Sequence, residues 1–115
     1  MKIPAGTTLY IGPPAKPMPL ERREDIRRAL TGIPGIVEAH LPQCYAKGLF
    51  DPSAQVLVLV LGVEAVESTI IPTLRGRLRS VLPQGAFLDI LPLPEGAPAL
   101  QSVRAAGCKL NLSEV

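Results

Sequence analysis

The sequence predicts a single α+β domain: a four-stranded antiparallel sheet with two helices on one face, plus a short C-terminal helix and a short extra strand. Three observations carry this expectation. Gln55 to Val63, QVLVLVLGV, alternates valine with leucine, so an extended chain would be apolar on both sides. A strand of that kind is normally central and covered above and below. Two other stretches repeat apolar residues at helical spacing, one before this strand and one after it. The 13 prolines fall mostly at the junctions between such segments, where they act as punctuation.

Length and composition set the bounds. The 115 residues suffice for one hydrophobic core, and residues 1–115 are read as one domain. Hydrophobic residues make up 47% and charged residues 19%, a globular rather than disordered balance. The net charge of +2 is too small to imply nucleic acid by itself. The longest uncharged apolar run, Val56 to Val63, falls far short of the ~20 residues that span a bilayer. Met1-Lys2-Ile3-Pro4 leads into no apolar signal region. Cys44 and Cys108 have no CxxC spacing and form no disulfide framework. A reduced, cytoplasmic setting is the expectation.

Taken in order, Thr8-Leu9-Tyr10-Ile11 is strand one, closed by Gly12-Pro13-Pro14. Gly12 to Pro19 is a stiff extended connector; its Pro14–Pro17 pair has PxxP spacing, a recognition pattern for which the plainer reading is a linker. Helix one is predicted over about Pro19 to Thr31. Ile26, Ala29, Leu30 and Ile33 share a face, acidic residues come early and Arg27 and Arg28 late, and Gly32 and Pro34 stop it. Ile36 to Ala46 is strand two, with Val37, Ala39 and Leu41 on one side and Glu38, His40 and Pro42 on the other. Pro42 marks an edge or a bulge. Residues Lys47 to Ser53 form a turn-rich link, making a hairpin with the central strand. The second helical stripe is Ile70, Ile71, Leu74, Leu78, Val81 and Leu82. Pro72 requires that the regular helix begin near Ser68 or Thr69, or kink. Pro83-Gln84-Gly85 ends it. Ala86 to Leu93 is strand four, with Phe87, Asp89 and Leu91 on one side and Leu88 and Ile90 on the other; Pro98 to Ala106 is a short helix capped by Gly107, and Cys108 to Leu112 is a short terminal strand.

The order β-α-β-β-α-β is the ferredoxin-like, split βαβ pattern. Right-handed crossovers would put both long helices on one face, with strands one and three central. The other face then needs a cover, either the C-terminal helix or a second copy of the protein.

At this point the chain resembles a family. Leu9-Tyr10-Ile11-Gly12-Pro13-Pro14-Ala15, followed by Pro17, Pro19 and a helix, is similar to the opening "IGxPA…P" stretch of the SseB (enhanced serine sensitivity) C-terminal domain. Pro34 to Leu41 is similar to its "P.V..AYL" segment, with His40 where Tyr is usual. Val56 to Gly62 resembles its "hLhIGI" strand, and Pro83 to Leu93 its "Pxgx.hDi..l" strand, with Asp89 at the matching Asp. The family's Pro-Phe-Tyr ending is replaced here by Cys108-Lys109-Leu110-Asn111-Leu112. The resemblance implies a cytoplasmic bacterial domain without an established enzymatic activity.

Candidate site residues are few. His40, the only histidine, has Glu38 on the same strand face, a pairing that can serve acid–base chemistry and more often lies on a solvated or edge face. Asp89 would sit roughly 14 Å from them across three strand steps. His40 and Cys44 would be about 13 Å apart along a regular strand, too far to share a metal ion with Cys108 unless Pro42 bulges the chain. No phosphate-cradling glycine loop is present. Arg22, Arg23, Arg27 and Arg28, with Arg75, Arg77 and Arg79, would form a basic or simply solvated outer helical face.

The leading expectation is a non-catalytic interaction module, self-associating as a homodimer or docking another protein, with no cofactor and no bound metal. Binding by His40, Glu38, Asp89, Arg75 or Arg79 is the weak site expectation. The alternative is a regulatory domain that binds a small molecule such as an amino acid, serine among them. That follows from the family's phenotype and from analogy with paired ferredoxin-like domains.

Overall fold

The computed structural model describes residues 8–16, 18–47, 50–84, 88–110 and 112, with backbone only at 50–53. Expectations placed on residues 1–4, Pro17, Gly48, Leu49, Gly85, Ala86, Phe87 and Asn111 lie outside the described residues. The elements run β1 (Tyr10–Gly12), α1 (Leu20–Leu30), β2 (Ile36–His40), β3 (Gln43–Ala46), β4 (Phe50–Leu61), α2 (Glu67–Val81), β5 (Asp89–Pro94), α3 (Leu100–Ala105) and β6 (Lys109–Leu110).

The chain is α+β, and among the described residues its sheet has six strands rather than four. The central strand is the apolar one, β4. It begins at Phe50, earlier than its apolar alternation, and is long enough to hold three neighbours. Its first half pairs with β3 (Gln43 with Gln55); its second half pairs antiparallel with β2 (His40 with Val58) and parallel with β5 (Val56 with Asp89 through Leu61 with Pro94). β2 and β3 form one interrupted strand. Pro42 cannot donate to the ladder, but its carbonyl accepts from Val56 N at 3.0 Å, so the hairpin crosses the break.

Two expectations are corrected here. Strand one is not central: β1 lies outside β3, pairing Tyr10 with Tyr45 and Gly12 with Gln43. Three residues closed by Gly12-Pro13-Pro14 are too short to span the core. The neighbour that strand one was expected to be is β5, delivered parallel to β4 through α2, so the sheet is mixed. The expected edge strand is also flanked, since β6 pairs with β2 (Ala39 with Leu110). β5 itself has β4 on one side. Alternate residues of a parallel strand turn their N–H away from its neighbour, and Pro92 and Pro94 occupy that outward set.

The valine–leucine alternation sorts the core. Leu57, Leu59 and Leu61 meet Ile26, Ala29 and Leu30 of α1 and Ile70, Leu74 and Leu78 of α2. Val56 and Val58 face the other way, onto Cys44, Ala46, Leu91 and Val103 of α3. The C-terminal helix therefore covers the second face. Full burial of Val103 contributes on the order of 1.5–3 kcal/mol to holding it there.

The helices depart from expectation in two places. α2 starts at Glu67 and runs through Pro72, so the proline lies in its second turn. Both Pro72 and Ser68, whose carbonyl loses the bond, are exposed to water. Arg77 is not part of a merely solvated face. Its guanidinium donates to the carbonyls of Ala29 (3.3 Å) and Thr31 (2.7 Å), satisfying the C-terminal end of α1. Beyond that end, Gly32 takes φ +83°.

Candidate functional site

β2 brings Glu38 and His40 onto the valine side of the sheet, opposite Val60 and Val58. His40 is not on a solvated edge, whereas Glu38 lies just before the two residues that β6 covers and is partly exposed. His40 is 1% exposed, enclosed by β4, β6 and the helix that covers this face. Val37, expected to share a face with Ala39 and Leu41, is exposed instead, because a register shift between Ile36 and Glu38 turns it outward.

Arg104 completes the cluster. Its Nε donates to Glu38 Oε1 at 3.1 Å and its terminal nitrogen to Oε2 at 2.7 Å. His40 Nε2 lies 2.9 Å from Glu38 Oε1. Hydrogen bonds first from Arg104 and then from His40 hold the Glu38 carboxyl down to about 2. An ionised carboxylate only accepts, so Nε2 is the nitrogen that carries the proton. His40 Nδ1 is buried with no hydrogen-bond partner among the described residues. The arrangement ties α3 to β2, with the imidazole 1% exposed behind it. Arg104 was invisible in the sequence reading. Its only signal was a basic residue following Val103 on a short apolar helix.

The remaining predicted residues stand elsewhere. Asp89 opens β5, two strand steps from β2 across β4 rather than three, at roughly 10 Å. Arg75 and Arg79 are exposed on α2. Cys44 is buried in the valine-side core, and burial pushes its thiol up to about 11. Among the described residues no group of three His, Cys, Asp or Glu is placed to hold a metal ion, and no helix is long and apolar enough to cross a membrane.

A groove that the sequence reading missed opens at the end where β4 leaves the sheet. It holds about 560 Å³ between Pro34–Val37, Gly62–Val66, Thr69, Ile70 and Glu95. Gly35 is its hinge of close approach. Gly35 has φ +93°, its carbonyl accepts from Gly62 N at 2.9 Å, and a Cβ there would lie 2.8 Å from that of Ala65. Only glycine lets the β4–α2 loop sit so near. Val37, Val63 and Val66 are 49%, 97% and 55% exposed, forming an apolar lip. Among the described residues, Glu64 and Glu95 supply the only charges that line the groove, and both are acidic. The available signal was Val63 and Val66, two valines in a strand-to-helix loop where polar residues are usual.

No protein-family model matches the chain, and neither does any curated protein or solved structure.

Proposed function

We propose that this chain is a non-catalytic docking domain, SseB-like in kind, whose groove takes an apolar segment of a partner protein bearing a basic residue. The observation that carries the reading is the Val37–Val63–Val66 lip around the groove, with Glu64 and Glu95 as its charges. Exposed valines clustered on a concave surface favour an apolar occupant. Two carboxylates without a lining cation favour a lysine or arginine on that occupant. The sheet faces offer no comparable surface, since α1 and α2 cover one and α3 the other. A buried histidine whose Nε2 is held by Glu38 supports the non-catalytic part of the reading.

The test is peptide display on the intact protein, with counter-selection on a folded V63E/V66E variant. The expected result is enrichment of apolar sequences containing Lys or Arg that bind the wild type and lose at least about tenfold in affinity on the variant. No enrichment, or equal binding to both proteins, overturns the reading. Light scattering is run beside it. A dimer that dissociates in V63E/V66E would make a second copy the occupant and overturn the assignment to a different protein.

A further inference from the structure

A second cavity, on another part of the molecule, has the opposite charge character. It holds about 290 Å³ where the β1–α1 connector, the first turn of α1, the β2–β3 break and the α3–β6 turn meet. Arg23 and Lys109 line it together with Cys108 and Gln55, and among the described residues no carboxylate does. Two of the three acidic residues of α1 pair along the helix, Glu24 with Arg27 and Asp25 with Arg28. Arg23 Nε is buried and makes no hydrogen bond among the described residues. Its guanidinium tends to lower the Cys108 thiol, against the larger raising effect of burial. Gln55 is held at the cavity wall by its amide nitrogen, which donates to the Leu41 carbonyl at 2.9 Å.

A buried donor on a permanent cation, with no acceptor, is an unfavourable arrangement that a bound anion removes. The guanidinium fork matches the two oxygens of a carboxylate or a phosphate, and the bond is charge-assisted. Pro13, Leu41 and Leu110 supply apolar wall for a short carbon skeleton. We infer that the Arg23–Lys109 cavity binds a small organic anion, its carboxylate or phosphate held by Arg23. This stands apart from the docking groove and does not depend on it.

The test is a titration of the 15N-labelled full chain, followed by two-dimensional NMR at constant ionic strength, with sodium succinate in one series and inorganic phosphate in the other. The expected result is a saturable shift of the Arg23 Nε–H signal and of the Gly107 to Leu110 amides with at least one probe. The series that saturates tells a carboxylate site from a phosphate site. Arg23→Gln should weaken that probe by about tenfold or more, Arg23→Lys should restore little because it lacks the fork, and Arg79→Gln on the exposed face should change nothing. The same spectra report whether each variant is folded. Shifts that never saturate with either probe, or that persist undiminished in a folded Arg23→Gln protein, overturn the inference.

Discussion

Arg104 on α3 holds both carboxylate oxygens of Glu38 on β2, at 3.1 and 2.7 Å, although the two residues lie 66 positions apart in the chain. The clamp joins the last helix to the sheet at the protein surface, beside the buried His40. Its strength depends on the ionised form of Glu38, whose carboxyl is held down from 4.5 to about 2. A depressed folded-state value means that the stabilisation is complete above about 4.5 and is lost as the pH falls toward 2. Urea unfolding of the wild type should therefore lose more stability between pH 4.5 and 2.5 than that of Glu38→Gln. Equal pH slopes for the two proteins would refute the clamp's role.

Gly35→Ala should destabilise the fold by about 2 kcal/mol or more. The new methyl would meet Ala65 Cβ at 2.8 Å and Ile70 Cδ1 at 3.1 Å, on a backbone already at φ +93°. Denaturant midpoints measure this, and a change under about 0.5 kcal/mol would contradict the packing described for the groove.

Gly76→Ala should do the opposite. Gly76 lies inside α2, and a Cβ there meets nothing within 4 Å. Replacing glycine in an exposed helix interior gains about 0.5–1 kcal/mol, and thermal melts should rise by about 2–6 °C.

The two arginines flanking Leu78 should separate cleanly. Arg77→Ala removes the donors to Ala29 and Thr31 at the end of α1 and should cost about 1 kcal/mol. Arg79→Ala, at an exposed position, should stay within about 0.5 kcal/mol of the wild type. Chemical unfolding of the two variants side by side checks the difference.

Thiol labelling of the native protein with a disulfide reagent should modify Cys108 before Cys44. Cys44 is buried and its thiol is pushed up to about 11. Cys108 is partly exposed; burial raises its thiol and Arg23 partly offsets that. Arg23→Gln should slow the Cys108 reaction, and mass spectrometry locates the label.

Much of the fold was legible because its strongest signals are local. The Val56 to Leu61 alternation assigned leucines to one face and valines to the other, and both faces are filled accordingly. Pro42 was legible as an irregularity in a single strand from Ile36 to Ala46, where the structure has two strands, β2 and β3. The pairing of strands was not legible. Tyr10-Ile11-Gly12 carries no mark that its partner is β3, and the parallel seating of β5 is decided by the path of α2 rather than by any residue of β5. The candidate sites were the least legible. Glu38 and His40 were found as a pair, but Arg104 joins them only through the tertiary fold. Arg23 reads as one of many helical arginines until the α3–β6 turn is folded against it.

Pro92 and Pro94 have a consequence for what this protein cannot become. The outer rim of β5 still presents carbonyls, but at two successive outward positions it has no N–H to give. A foreign strand aligning there would have to desolvate its own carbonyls against pyrrolidine rings, losing two ladder bonds in succession. Growth of the sheet past β5 is thereby disfavoured at its first step. A chain whose central strand has the composition of a fibril-forming segment thus carries, one strand away, a chemical stop against templating its own polymerisation.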